Sequence, residues 1–205
     1  MTRGEQRELI AGPAGVLEVA LNVSEGKPRG IALVAHPHPQ QGGTLDNKVA
    51  QTLARTFAGL GYASARFNFR GAGKSVGEFD DGIGETDDAL AALAWVRGKF
   101  PDVAQLPPVL AGFSFGSYVQ TRVAHAVQAE RLVMVGAAVK RFPIEQVAAD
   151  TIVIHGEEDD VVALADVFSW ARPQLLPVIV FPGCGHFFHG RLAQLQQVIA
   201  GMWRR

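Results

Sequence analysis

Short apolar runs alternate with amphipathic stretches along most of the chain. GIALVAH (30–36), YASARFNF (62–69), PPVLAGF (107–113), RLVMVG (131–136), TIVIHG (151–156) and PVIVFP (177–182) have the length and near-continuous apolarity of strands buried on both faces. Between them the apolar spacing turns helical. After Asp46, Val49, Leu53 and Phe57 recur at every fourth position, and Gly61 is placed to end that helix in the left-handed conformation. Further helices are predicted from about Thr86, where Asp87 and Asp88 suit the N-terminal dipole, then over about 115–127 and 163–172. A last helix is expected to bury Leu192, Leu195, Ile199 and Met202. The first 28 residues differ: ELIAGPAGVLEVALNV reads as two strands around a Gly-Pro turn, an antiparallel edge. Strand–helix alternation implies parallel strands with right-handed crossovers. The expected fold is therefore α/β, a doubly wound, mostly parallel sheet with helices on both faces.

With 205 residues and neither linker nor repeat, the chain is expected to form one domain, 1–205. A net charge of −1 gives no broad attraction to nucleic acid or anionic membrane. The N-terminus lacks the apolar core of a signal peptide, and ALAALAWV (89–96) is far too short to span a bilayer. A cytoplasmic protein is expected. The single cysteine, Cys184, excludes an internal disulfide and a multi-thiolate metal site.

The chemistry concentrates at strand ends. AGFSFGS (111–117) sets Ser114 between Gly112 and Gly116, after one apolar run and before a helix. A G-x-S-x-G match arises by chance about 0.07 times in a chain with this content of glycine and serine. Position adds weight, because open α/β sheets bind ligands at the carboxyl ends of their strands. On a sharp strand-to-helix turn the serine is strained, and flanking glycines relieve crowding that Cβ atoms would cause. A serine hydroxyl needs a base oriented by a carboxylate. HGEEDDVV (155–162) offers Glu157, Glu158, Asp159 and Asp160, and GCGHFFHG (183–190) offers His186 and His189, both after later strands. His155 reads as structural, and His125 as a helix residue without a partner.

In HPHPQQGGTLDNKV, RFNFRGAGKSVGEFD, GFSFGS, HGEEDDVV and GCGHFFHG, residues 30–190 resemble the α/β-hydrolase superfamily, most closely its small bacterial members of the dienelactone-hydrolase and carboxylesterase style. The resemblance implies a nucleophile at Ser114, an acid at Asp159 and a base at His186, with no cofactor and no metal. The implied partner is a small acyl substrate. In such folds one oxyanion donor is the amide after the nucleophile, here Phe115, and the second comes from the loop after the first parallel strand. In His36-Pro37-His38-Pro39 the prolines have no N–H, so His38 is the expected donor, with Gln40 as the alternative. Only residues 137–150 separate two strands where relatives insert a cap, so a lidless, open site that prefers short acyl chains is expected.

Other features are weaker. His-Pro-His lacks a third metal ligand, and RGAGKS (70–75) has Asn68 where a phosphate-binding loop needs glycine. RGAGKS reads instead as a glycine-rich turn near the site. The acidic run from Glu78 to Asp88 reads as a solvated loop and helix start, and Cys184 as a small buried thiol. The expected activity is ester hydrolysis through an acyl-enzyme; a thioesterase, peptidase or acyltransferase, or a non-catalytic binding protein of the same fold, are the alternatives.

Overall fold

A computed structural model describes residues 4–203. Its eight strands are β1 (Gln6–Gly12), β2 (Gly15–Asn22), β3 (Ile31–Ala35), β4 (Ala63–Phe67), β5 (Val109–Phe113), β6 (Arg131–Val135), β7 (Ile152–Gly156) and β8 (Val178–Phe181). The helices are α1 (Lys48–Gly59), α2 (Ile83–Lys99), α3 (Phe115–Ala126), α4 (Leu164–Ala171) and α5 (Leu192–Trp203). The strands lie in one sheet, ordered β1-β2-β4-β3-β5-β6-β7-β8. The β1–β2 and β2–β4 pairs are antiparallel, and all later pairs are parallel.

Strand alternation sorts the core into two layers. Ile31 and Leu33 of β3 and Leu110 of β5 pack with Ala89, Leu93 and Val96 of α2, Val119 and Val123 of α3, and Val167 of α4. Their neighbours Ala32, Val34, Val109, Ala111 and Phe113 face Val49, Leu53 and Phe57 of α1 and Leu195 and Ile199 of α5. From β3 the chain crosses to β4 on one side and then returns to β5 on the other. That reversal makes the carboxyl ends of β3 and β5 the switch point where such sheets bind ligands.

Three expectations need correction. First, α2 starts at Ile83 rather than Thr86. The Glu85 carboxylate accepts from the amides of Gly82 (2.7 Å) and Asp80 (2.9 Å), closing the helix start around a left-handed Gly82 with φ 92°. Second, the acidic run is not wholly solvated. Glu85 and Asp88 are buried, and Asp88 binds the Arg70 guanidinium through both oxygens (3.0 and 3.1 Å). Third, α5 buries Leu195 and Ile199 but exposes Met202, because Trp203 closes the helix end by packing on Phe57 and donating to the Tyr62 hydroxyl (3.1 Å). Gly61 does adopt the left-handed conformation after α1 (φ 90°), and Asn47 caps that helix by accepting from Val49 and Ala50.

Candidate active site

The turn from β5 into α3 strains one residue. Ser114 has φ 55° and ψ −118°, a region that non-glycine residues seldom occupy. Its amide donates to Val135 at the end of β6 (2.9 Å). The two glycines are sterically required. A Cβ on Gly112 would lie 2.3 Å from the Gly116 backbone, and one on Gly116 would lie 2.4 Å from the Ala35 carbonyl oxygen. The first turn of α3 therefore packs directly on the ends of β3 and β5. Ser117, in that turn, is buried and donates to the Gly112 carbonyl (2.8 Å).

The loop after β7 carries Asp159, which is buried, whereas Glu157, Glu158 and Asp160 are exposed. One Asp159 oxygen, Oδ1, accepts from the amides of Val161 (2.9 Å) and Val162 (2.7 Å). The other, Oδ2, lies 2.7 Å from Nδ1 of His186, on the loop after β8. Burial alone would raise the Asp159 pKa, but it is held below the usual carboxylate value. The causes are the His186 and Val162 hydrogen bonds and the charge interaction with His186 and His155. An ionised carboxylate only accepts, so in the neutral imidazole of His186 the proton sits on Nδ1 and Nε2 carries the lone pair. The imidazole rests on Phe113, the residue before Ser114 (centroids 4.8 Å apart), and against Gly136, where a Cβ would come within 3.2 Å of the ring. His189 is exposed with its ring tilted beside Phe187 (centroids 5.9 Å apart), and His125, at the end of α3, faces Glu145 at 3.8 Å.

Ser114 opens into a cleft of about 170 Å³ whose walls include His38, Phe115, Phe142, Val161 and Val162, with Lys140 and Arg141 at the mouth. Among the described residues, the amides of Phe115, His38 and Gln40 donate to no backbone carbonyl. The His38 ring is buried in a cage of Phe79, Phe115 and Phe142; burial, with the nearby Arg141 charge, lowers its pKa against the opposing pull of Asp81. His36 is committed elsewhere: Nδ1 contacts the Pro37 carbonyl (2.6 Å) and Nε2 accepts from the Phe69 amide (3.0 Å). Burial and the neighbouring His38 push its pKa down to about 3, against the Pro37 hydrogen bond, so neither ring nitrogen is free for a metal. In the RGAGKS turn the Lys74 amide is already taken, donating to the Glu18 carboxylate (3.0 Å). The Cys184 thiol is buried, and burial together with the Asp159 charge raises its pKa despite Arg191, which opposes nucleophilic use.

Residues 136–151, between β6 and β7, contain no helix or strand. This short connection itself walls the cleft, through Ala138, Lys140, Arg141 and Phe142. Sequence reasoning read its length but missed that role, because a non-periodic loop carries no signal of where its side chains point.

Residues 23–142, more than half of the chain, match the profile of the X-Pro dipeptidyl-peptidase family S15. The structure superposes on an α/β serine hydrolase homologue from Coxiella burnetii with a TM-score of 0.89 and 37% identity over 97% of each chain. The chain belongs to the α/β-hydrolase superfamily. A lidless α/β serine hydrolase from Xanthomonas campestris is similarly close, with a TM-score of 0.89 and 35% identity over 96% of this chain and 92% of that one. An uncharacterized protein of Rickettsia prowazekii is 43% identical over 108 residues, 53% of this chain and 44% of that protein, so the match spans less than half of that relative. This α/β hydrolase shares the lidless architecture of its Xanthomonas counterpart, and the candidate site lies at the sheet's switch point.

Proposed function

We propose that this hydrolase cleaves small acyl esters through an acyl-enzyme on Ser114. The observation that carries the reading is the 2.7 Å Asp159–His186 hydrogen bond, made beside the strained Ser114 turn with Nε2 left as a base. Nε2 takes the hydroxyl proton as Oγ attacks the substrate carbonyl carbon, and Asp159 stabilises the imidazolium. The amides of Phe115 and His38 donate to the oxyanion, and the N-terminus of α3 favours negative charge there. As the intermediate collapses, the C–O bond breaks and His186 returns the proton to the leaving alkoxide. Water, deprotonated in turn by His186, cleaves the acyl-enzyme and releases the acid.

The cleft volume supports a short acyl group. About 170 Å³ is close to the ~150 Å³ of a cavity that accepts benzene, room for a butyryl chain, whereas most of a fatty acyl chain would extend beyond the cleft. The test is a panel of p-nitrophenyl esters, thioesters, lactones and amides assayed on wild type and Ser114→Ala. Hydrolysis of short esters that disappears in the variant, with unchanged circular dichroism, is the expected result. Undiminished ester turnover by Ser114→Ala would refute the mechanism, and turnover confined to thioesters or amides would reassign the substrate class.

A further inference from the structure

His155 is the last side chain of β7 before the loop that carries Asp159, and the mechanism above gives it no task. It is fully buried. Its Nε2 lies 2.8 Å from the carbonyl oxygen of Val162, seven residues ahead, so the loop is tied across its mouth. A carbonyl only accepts, which places the proton on Nε2. Nδ1 is then a bare acceptor, buried and without a partner among the described residues. An apolar side chain would fill this place without leaving a polar atom unsatisfied, so packing alone does not account for a histidine.

The peptide that His155 ties down holds the carboxylate. Val162 gives its carbonyl to His155 and its amide to Asp159 Oδ1, and the Val161 amide joins on the same oxygen. The His155 Nε2 also sits 3.3 Å from Asp159 Oδ2, the oxygen that receives His186. The N–H bonds Val162, but its positive end lies beside the carboxylate. Val161 and Val162 are, at the same time, a wall of the cleft over Ser114. We propose that His155 is a positioning residue, holding the Val161–Val162 peptide so that Asp159 faces His186 and the cleft wall stays in place. This rests on the catalytic reading of Ser114, His186 and Asp159. Burial keeps His155 neutral, against the pull of Val162 and Asp159, with His186 opposing its protonation. The Cys184 thiol also feels the Asp159 charge.

The proposal separates two replacements. His155→Phe fills the space without a donor, whereas His155→Gln keeps an N–H able to reach the Val162 carbonyl. Each is compared with wild type by kcat and KM on p-nitrophenyl butyrate and by the downfield NMR proton of the His186–Asp159 hydrogen bond. For folded His155→Phe the expected result is a kcat about tenfold lower, the scale of one lost hydrogen bond, with a raised KM and a broadened or absent downfield proton. His155→Gln should restore most of all three. A folded His155→Phe with kcat and KM within about twofold of wild type and an unchanged downfield proton would overturn the proposal, as would equal losses in both variants. Should His155→Phe not fold, nitrogen chemical shifts of wild-type His155 decide: the Nε2–H tautomer supports the proposal, and the Nδ1–H tautomer or a cation at pH 7 overturns it. Ser114→Ala is assayed in parallel. If it retains turnover the hydrolytic reading fails, while the NMR comparison still judges His155.

Discussion

Asp159→Asn changes one atom and should silence the site. The carboxylate has two distinct sides: Oδ1 accepts from two backbone amides, and Oδ2 faces Nδ1 of His186 and, at 3.3 Å, Nε2 of His155. An asparagine must keep its carbonyl on the first side, since its NH2 cannot accept from the Val161 and Val162 amides. The NH2 then faces His186. Nδ1 is forced to accept, the ring proton moves to Nε2, and no lone pair remains for the Ser114 proton. With geometry intact and the wrong tautomer, the expected loss in kcat is about 10⁴-fold, or about 5 kcal/mol of transition-state stabilisation. The assay is p-nitrophenyl acetate hydrolysis above the buffer rate, with folding checked by circular dichroism. Asp160→Asn is the control: that side chain is exposed, and activity should stay near wild type. A folded Asp159→Asn within tenfold of wild type, or a larger loss in Asp160→Asn, would refute the assignment of the acid.

Gly116→Ala sets a Cβ 2.4–2.5 Å from the carbonyl oxygens of Ala35 and His36, so the end of β3 and the His38 loop must move. Expected are a loss of about 1–3 kcal/mol, seen as a Tm lower by about 3–10 °C, and about 100-fold lower turnover; wild-type values for both would contradict the packing described. His36 has its pKa lowered to about 3 in the fold against 6.5 when unfolded. Below pH 6.5 the unfolded chain takes a proton that the native one refuses, so its stabilising contribution is complete above pH 6.5 and is lost as pH falls toward 3. The slope from this one group is up to about 1.4 kcal/mol per pH unit. Urea titrations between pH 4.5 and 7 should show a shallower pH dependence for His36→Gln than for wild type; identical slopes would show that His36 does not remain neutral. On the ester panel kcat/KM should peak at two to four acyl carbons, and a maximum at long chains would contradict the cleft volume.

How much of this was legible in the sequence depended on whether the deciding contacts were local. The parallel strands were readable because burial on both faces leaves nearly continuous apolar runs, as in IALVA and VLAGF. Ser114 stood out as a candidate because it sits between glycines directly after a strand; strand spacing alone left four carboxylates and two histidines open, and it is the fold that buries Asp159 among its exposed neighbours and sets it 2.7 Å from His186. The start of α2 was not, because its cap is a glycine with no side-chain signal and the carboxylate that closes it lies inside the helix. Arg66, in the middle of an apparently apolar strand, is wholly buried, donating to the Leu45 carbonyl (2.5 Å) and paired with Glu5. Its partners lie 21 and 61 positions away, a distance no periodic pattern encodes. The aromatic cage around His38 failed to show for the same reason: His38, Phe79, Phe115 and Phe142 meet from four separate segments. The sequence reading expected a carboxylate loop after β7, but only the folded loop reveals that His155 closes it.

The central claim is that Ser114 is a nucleophile activated by His186, and covalent labelling tests it without knowing the substrate. Wild type treated with a fluorophosphonate should gain one adduct, mapped by peptide mass spectrometry to Ser114, with none in Ser114→Ala and labelling at least about 100-fold slower in His186→Ala. An unlabelled wild type, or an adduct that persists in Ser114→Ala, would contradict the account.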